Sequence, residues 1–202
     1  MTDRRNRPTG ITRRCALTTL GGGLTAGLMG CDTMTAEKPG VVEQIAFSGL
    51  ALGLRVGSLE LDLENAQGGP DQLEYLFPTP LSAWVQRWAY DRLQARGGGS
   101  TARLIMDRAS LAMASKPGDS VFGLGAEERY TTRLALRLVF FGRDGARAAA
   151  ADYEAVAEGA LQGEVTDADR RAYLSRLSAS MMQDIDKNFP ALIRRDLPQY
   201  VV

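Results

Sequence analysis

The sequence predicts an α+β two-layer sandwich: a sheet of about four strands, covered on one face by two helices, in the order β-α-β-β-β-α. Three observations carry this expectation. Residues 59–64 and 127–142 alternate apolar and polar side chains with the period of a half-buried strand. Two other segments open on helix-start residues and then repeat apolar side chains at helical spacing. Asp144-Gly145 lies just beyond the second alternating run, a strong two-strand hairpin signal. One apolar sheet face and two apolar helix stripes bury each other in a single core.

The first strand is set by Leu59, Leu61 and Leu63 alternating with Glu60, Asp62 and Glu64. The glycine- and proline-containing residues 66–72 follow as a loop, and 73–78, "LEYLFP", as an apolar approach. The first helix takes Thr79 as its cap, Pro80 as its first residue and Gly97 as its end. Leu81, Trp84, Val85, Trp88 and Leu93 recur on its inner face. Trp84 and Trp88 stand one turn apart, and an aromatic stripe of this kind docks a helix more often than it stacks a ligand.

Residues 101–115 read as a strand with imperfect alternation, and 116–126 as a loop. In residues 127–142 one face holds Tyr130, Thr132, Leu134, Leu136, Leu138 and Phe140. The other holds Arg129, Arg133 and Arg137. The hairpin then demands a partner strand over 146–156, against the local helix preference of its alanines. Thr166, with Asp167 and Asp169 behind it, opens the second helix. Tyr173, Leu174, Leu177, Met181, Ile185 and Phe189 form its stripe, and Pro190 ends or kinks it. The tail "ALIRRDLPQYVV" is apolar enough to dock.

Composition excludes several functions. The chain has no histidine, which removes Ser–His–Asp and Cys–His nucleophiles and the commonest transition-metal ligand. The two cysteines, Cys15 and Cys31, both lie near the N-terminus and can build neither a zinc site nor a disulfide framework for the body. The net charge is zero, yet residues 1–30 hold five arginines and one acid. The remainder therefore has 19 basic and 23 acidic residues. A mildly acidic body makes a poor nucleic-acid binder. No glycine-rich phosphate loop is present: "GLGAEE", 123–128, lacks the pattern and precedes a strand. The expectation is no cofactor, no metal and no catalytic residue.

Residues 1–14 are basic, 15–29 are apolar or small without charge, and "LMGC" closes the segment at 28–31. This is the layout of an export signal, and the uncharged run is shorter than a membrane-spanning helix needs. The expected organisation is an export signal over 1–30, a tether over 31–42 and one α+β domain over 43–202.

"LMGC" resembles the lipobox of bacterial lipoproteins, with Leu28 and Gly30 in the expected places and Met29 a less usual residue at its own. The resemblance implies cleavage before Cys31, a diacylglycerol on its sulfur and acylation, commonly by palmitate, of the new amino terminus. Several acyl chains hold a protein on a bilayer where one does not. "TRRCAL", 12–17, resembles a twin-arginine export motif in part, with Ala16 where an aromatic is common, so the general secretory route stays open. In some Gram-negative bacteria an aspartate placed as Asp32 is here keeps a lipoprotein in the inner membrane; the outer membrane remains the alternative.

The element order, the tether and the segment 77–111, in which Trp88 precedes a strand, resemble the auxiliary lipoproteins of ABC-type transporters and the LPS-assembly lipoproteins. That resemblance implies a non-enzymatic periplasmic accessory protein with an envelope partner. The row Arg129, Arg133 and Arg137 can meet an anion, a lipid headgroup or an acidic partner. The plainer expectation is that it pairs across the sheet with Glu60, Asp62 and Glu64. The alternatives are a hydrolase of cell-wall glycans using carboxylates alone, which needs two acids facing across a cleft, and a purely structural lipoprotein.

Overall fold

The computed structural model describes residues 45–64, 73–117 and 126–202. The expected export signal, the lipobox-like residues Leu28, Gly30 and Cys31, and the expected tether lie outside the described residues, as does all of the expected loop over 66–72. The described elements are β1 (Leu52–Leu54), β2 (Ser58–Asp62), a 3-10 turn (Glu74–Leu76), α1 (Leu81–Arg92), β3 (Leu93–Ala95), β4 (Thr101–Lys116), β5 (Glu127–Phe141), β6 (Arg147–Gln162), α2 (Asp167–Asp196) and a final 3-10 turn (Pro198–Tyr200). The fold is α+β, with helices packed against a four-stranded sheet of order β2-β4-β5-β6.

The alternation in the sequence sets the faces of this sheet. Ala102, Leu104 and Met106 of β4 are buried, as are Tyr130, Leu134, Leu136, Leu138 and Phe140 of β5, and Ala151 and Ala155 of β6. They join the buried stripes of α1 and α2 in one cluster. The imperfect alternation of β4 has a local cause. Asp107 is an extra residue: Met106 pairs with Leu136 and Arg108 with Ala135. Such a bulge puts two residues opposite one and reverses parity. Inward positions are even up to Met106 and odd from Ala109 and Leu111 onward.

Around α1 the chain does something the periodicity does not reveal. Leu93 extends the apolar stripe of α1, yet the helix stops at Arg92, and Leu93–Ala95 pairs in parallel with Leu52–Leu54. Tertiary pairing overrides helix spacing here. A second parallel pair, β2 with β4, flanks the same helix. The two pairs are separated by a joint where Gly57 and Gly98 touch. A Cβ on Gly57 would lie 2.5 Å from the Gly98 carbonyl oxygen, and Gly98 has φ +132°. Thr79 is not the cap of α1. Pro80 occupies that position, with no side-chain hydrogen bond, and its carbonyl accepts from Ala83 and Trp84.

Thr166 caps α2 as expected, accepting from the Asp169 N–H at 3.2 Å while Asp169 accepts from the Thr166 N–H at 3.0 Å. This is a reciprocal capping box. Pro190 sits inside α2 and does not end it; the helix runs a further turn and a half to Asp196. β6 extends beyond the expected 156 to Gln162, paired with β5 in unbroken register from Ala149 onward. Gly145, at φ +77°, makes the turn between them. The tail docks: Tyr200 stacks on Phe140 at 4.3 Å, and Val201 bridges to Leu54. Among the described residues no helix is long and apolar enough to cross a membrane.

Candidate functional site

Two surfaces of this fold present chemistry: the sheet face opposite the helices, and a cleft where the chain enters the domain.

The odd positions of β5 place Arg129, Arg133 and Arg137 on the outer face of the sheet, as the alternation predicts. Their partners differ from expectation. β4 lies between β5 and the short edge strand β2. Glu60 instead accepts two hydrogen bonds from Arg103 of β4, at 2.9 and 2.7 Å. Arg137 Nε donates to Asp152 of β6 at 2.5 Å, and its Nη2 lies 3.2 Å from Asp107, the bulged residue. Asp152 holds the Arg137 guanidinium more firmly protonated than usual. Arg133 shares Glu154 with Arg108, each at 3.8 Å, and Arg129 pairs with Glu127 of its own strand at 2.6 Å. The outer face is thus a mesh of paired charges. Half-exposed Val156, opposite Arg133, interrupts it.

The cleft, of about 750 Å³, lies between residues 46–50 and the C-terminal half of α2. Its floor is a buried polar junction. Trp88 and Arg92 are one turn apart on α1, and both reach Asp186 of α2. The indole N–H donates to Asp186 Oδ1 at 3.1 Å, and Arg92 Nε donates to the same oxygen at 2.5 Å. A second Arg92 nitrogen, Nη1, donates to the Gly49 carbonyl and so ties down the entering segment. Only 5% of the Arg92 side chain and 12% of that of Asp186 is exposed. Trp88 is fully buried, stacked on Phe189, so its surface is committed to packing and not to a ligand. The sequence signal for this junction was Arg92, a cation four residues after Trp88 on an apolar face.

The walls of the cleft carry Lys187 and Arg194, both exposed, together with Phe47, Leu50 and Pro190. Asp186 is the one carboxylate lining it among the described residues. The facing acids that a carboxylate hydrolase needs are not brought together there. Among the described residues no group of three or more His, Cys, Asp or Glu side chains is placed to hold a metal ion.

A third polar cluster closes the far end of the sheet. Glu128 accepts from Tyr130 at 2.6 Å and from Arg170 at 2.9 and 2.6 Å. The Arg170 hydrogen bond holds the Glu128 carboxyl below its ordinary range. Burial, and then the Glu128 carboxylate, push the Tyr130 phenol up to about 12. Tyr153 is likewise pushed up to about 12, by burial first and then by its hydrogen bond to Asp184. These groups join α2 to the sheet.

No family model matches the chain. No curated protein matches it either. Solved structures similar to it include a minor lipoprotein from Acinetobacter baumannii, with 16% identity, a TM-score of 0.38 and coverage of 71% of this chain and 94% of that one. Rare lipoprotein B from Shewanella oneidensis has 13% identity and a TM-score of 0.40, covering 70% of this chain and 98% of that one. A protein from Xanthomonas campestris has 10% identity and a TM-score of 0.37, covering 74% and 91%.

Proposed function

We propose that this chain is a lipid-anchored bacterial envelope protein that acts by binding a partner protein. Acyl chains on Cys31 hold it on the periplasmic side of a membrane, the inner one by the reading of Asp32. The body serves as an accessory subunit of a lipid or LPS transport or assembly system. The observation that supports binding most directly is the outer sheet face. Three strands of 15 to 16 residues present it, and among the described residues no helix covers it. The charges of its arginine row are already paired, so a partner can cover that row without stranding an isolated charge, which would be costly.

Two measurements test this. Mass spectrometry of the native protein should find Cys31 as the first residue, carrying diacylglycerol and palmitate, and Cys31→Ser should release the protein from the membrane fraction. Affinity capture from detergent-solubilised membranes should recover transporter or assembly subunits. The triple variant Arg129→Glu, Arg133→Glu, Arg137→Glu should lose them while staying folded. Recovery undiminished by that variant would exclude the sheet face as the docking surface.

A further inference from the structure

The cleft at the start of the domain combines features that the sheet face lacks. Lys187 and Arg194 belong to one stripe of α2 and are exposed; among the described residues neither makes an ion pair or hydrogen bond. The cleft's one carboxylate, Asp186, is already engaged by Arg92 and Trp88. The lining is therefore net positive, with its two outer cations uncommitted. Opposite them stands Leu50, 86% exposed, beside half-buried Phe47. An exposed leucine next to unpaired cations matches a ligand that joins a phosphate to hydrocarbon.

The chain itself indicates where that ligand would come from. The described domain begins at Ile45, on this cleft, and 13 residues separate Ile45 from Cys31. A fully extended stretch of that length reaches at most about 45 Å. A lipid on Cys31 therefore keeps this end of the domain within about 45 Å of the bilayer.

We infer that the cleft docks on the bilayer surface by holding the phosphate of an anionic phospholipid between Lys187 and Arg194, with Leu50 and Phe47 against the acyl boundary. This rests on the lipoprotein reading for its geometry, but its test does not require the lipid. The chain carrying Cys31→Ser is sedimented with vesicles of phosphatidylglycerol in phosphatidylcholine, and with phosphatidylcholine vesicles alone. In that background Lys187→Gln with Arg194→Gln should weaken binding to the anionic vesicles about thirtyfold, since each cation near such a surface is worth about fivefold. Leu50→Ser should weaken binding further. The matched pair Arg147→Gln with Arg171→Gln, exposed cations away from the cleft, should lose much less. Equal losses for the two pairs, or no loss for the first, would overturn the inference. So would displacement from the vesicles by millimolar inorganic phosphate, which would mark a site for the free anion. An unmodified Cys31 in the native protein, with the vesicle result intact, would defeat the lipoprotein reading alone.

Discussion

Arg92 and Asp186 meet at 2.5 Å with almost no exposure to water, and they join the two helices whose stripes form more than a third of the core. Breaking a buried pair leaves an uncompensated charge, which is far costlier than never having made it. Asp186→Ala should lower unfolding free energy by about 3–5 kcal/mol in urea titrations. The double change Arg92→Met with Asp186→Leu should cost clearly less than Asp186→Ala alone.

The joint at Gly57 tolerates no side chain. A Cβ there meets backbone, the Gly98 carbonyl, and backbone cannot swing aside as a side-chain tip can. Gly57→Ala should destabilise by about 1–3 kcal/mol, the usual range for forced overpacking. At Gly159 the obstruction is the Tyr173 hydroxyl, a side-chain tip. Gly159→Ala should therefore be improved by adding Tyr173→Phe, measured as recovery of melting temperature.

Deleting Asp107 should be tolerated. It has no partner on β5, so its loss leaves every β4–β5 pair in register and only removes the bulge and the contact with Arg137. Deleting Ile105, one pair earlier, turns either Leu104 or Met106 outward and should prevent folding. Circular dichroism melts of the two deletion variants separate these outcomes.

Stability should fall at both pH extremes for identifiable reasons. The carboxyl of Glu128 is depressed in the folded state, so its contribution is present above about pH 4.5 and lost as pH falls through the folded value. Glu128→Gln should flatten that acid limb. Tyr130 and Tyr153 are raised to about 12 in the folded state. Their contribution is present below the ordinary tyrosine value of 10 and lost as pH rises toward 12. In a phenolate absorbance titration, Tyr130→Phe and Tyr153→Phe should each remove one ionisation near pH 12.

Much of this architecture was legible in the chain. The β5 faces, the Asp144-Gly145 turn, the Thr166 capping box and the Leu59–Leu63 edge strand follow from local pattern, and the fold class follows from them. What local pattern misses is pairing between distant segments. Leu93 continues the stripe of α1 yet belongs to a strand, because Leu52 lies alongside it. The arginine row lies on the face its period gives, and its pairs with Glu127, Glu154, Asp107 and Asp152 are not legible locally, because periodicity gives the face of a strand and not its neighbours in the sheet. The Trp88–Asp186–Arg92 junction depends on residues about a hundred positions apart, which no local period records.

The bridge between Val201 and Leu54 closes the small sheet from far along the chain. Arg55 is held by the carbonyls of Tyr200 and Val201, from its backbone N–H and its side chain respectively, across a separation of 146 residues. The edge of the short parallel β1–β3 pair is therefore satisfied only after distant segments have met, whereas the β4–β5–β6 meander pairs with sequence neighbours. The small sheet is the last part of the domain to order and the first to open.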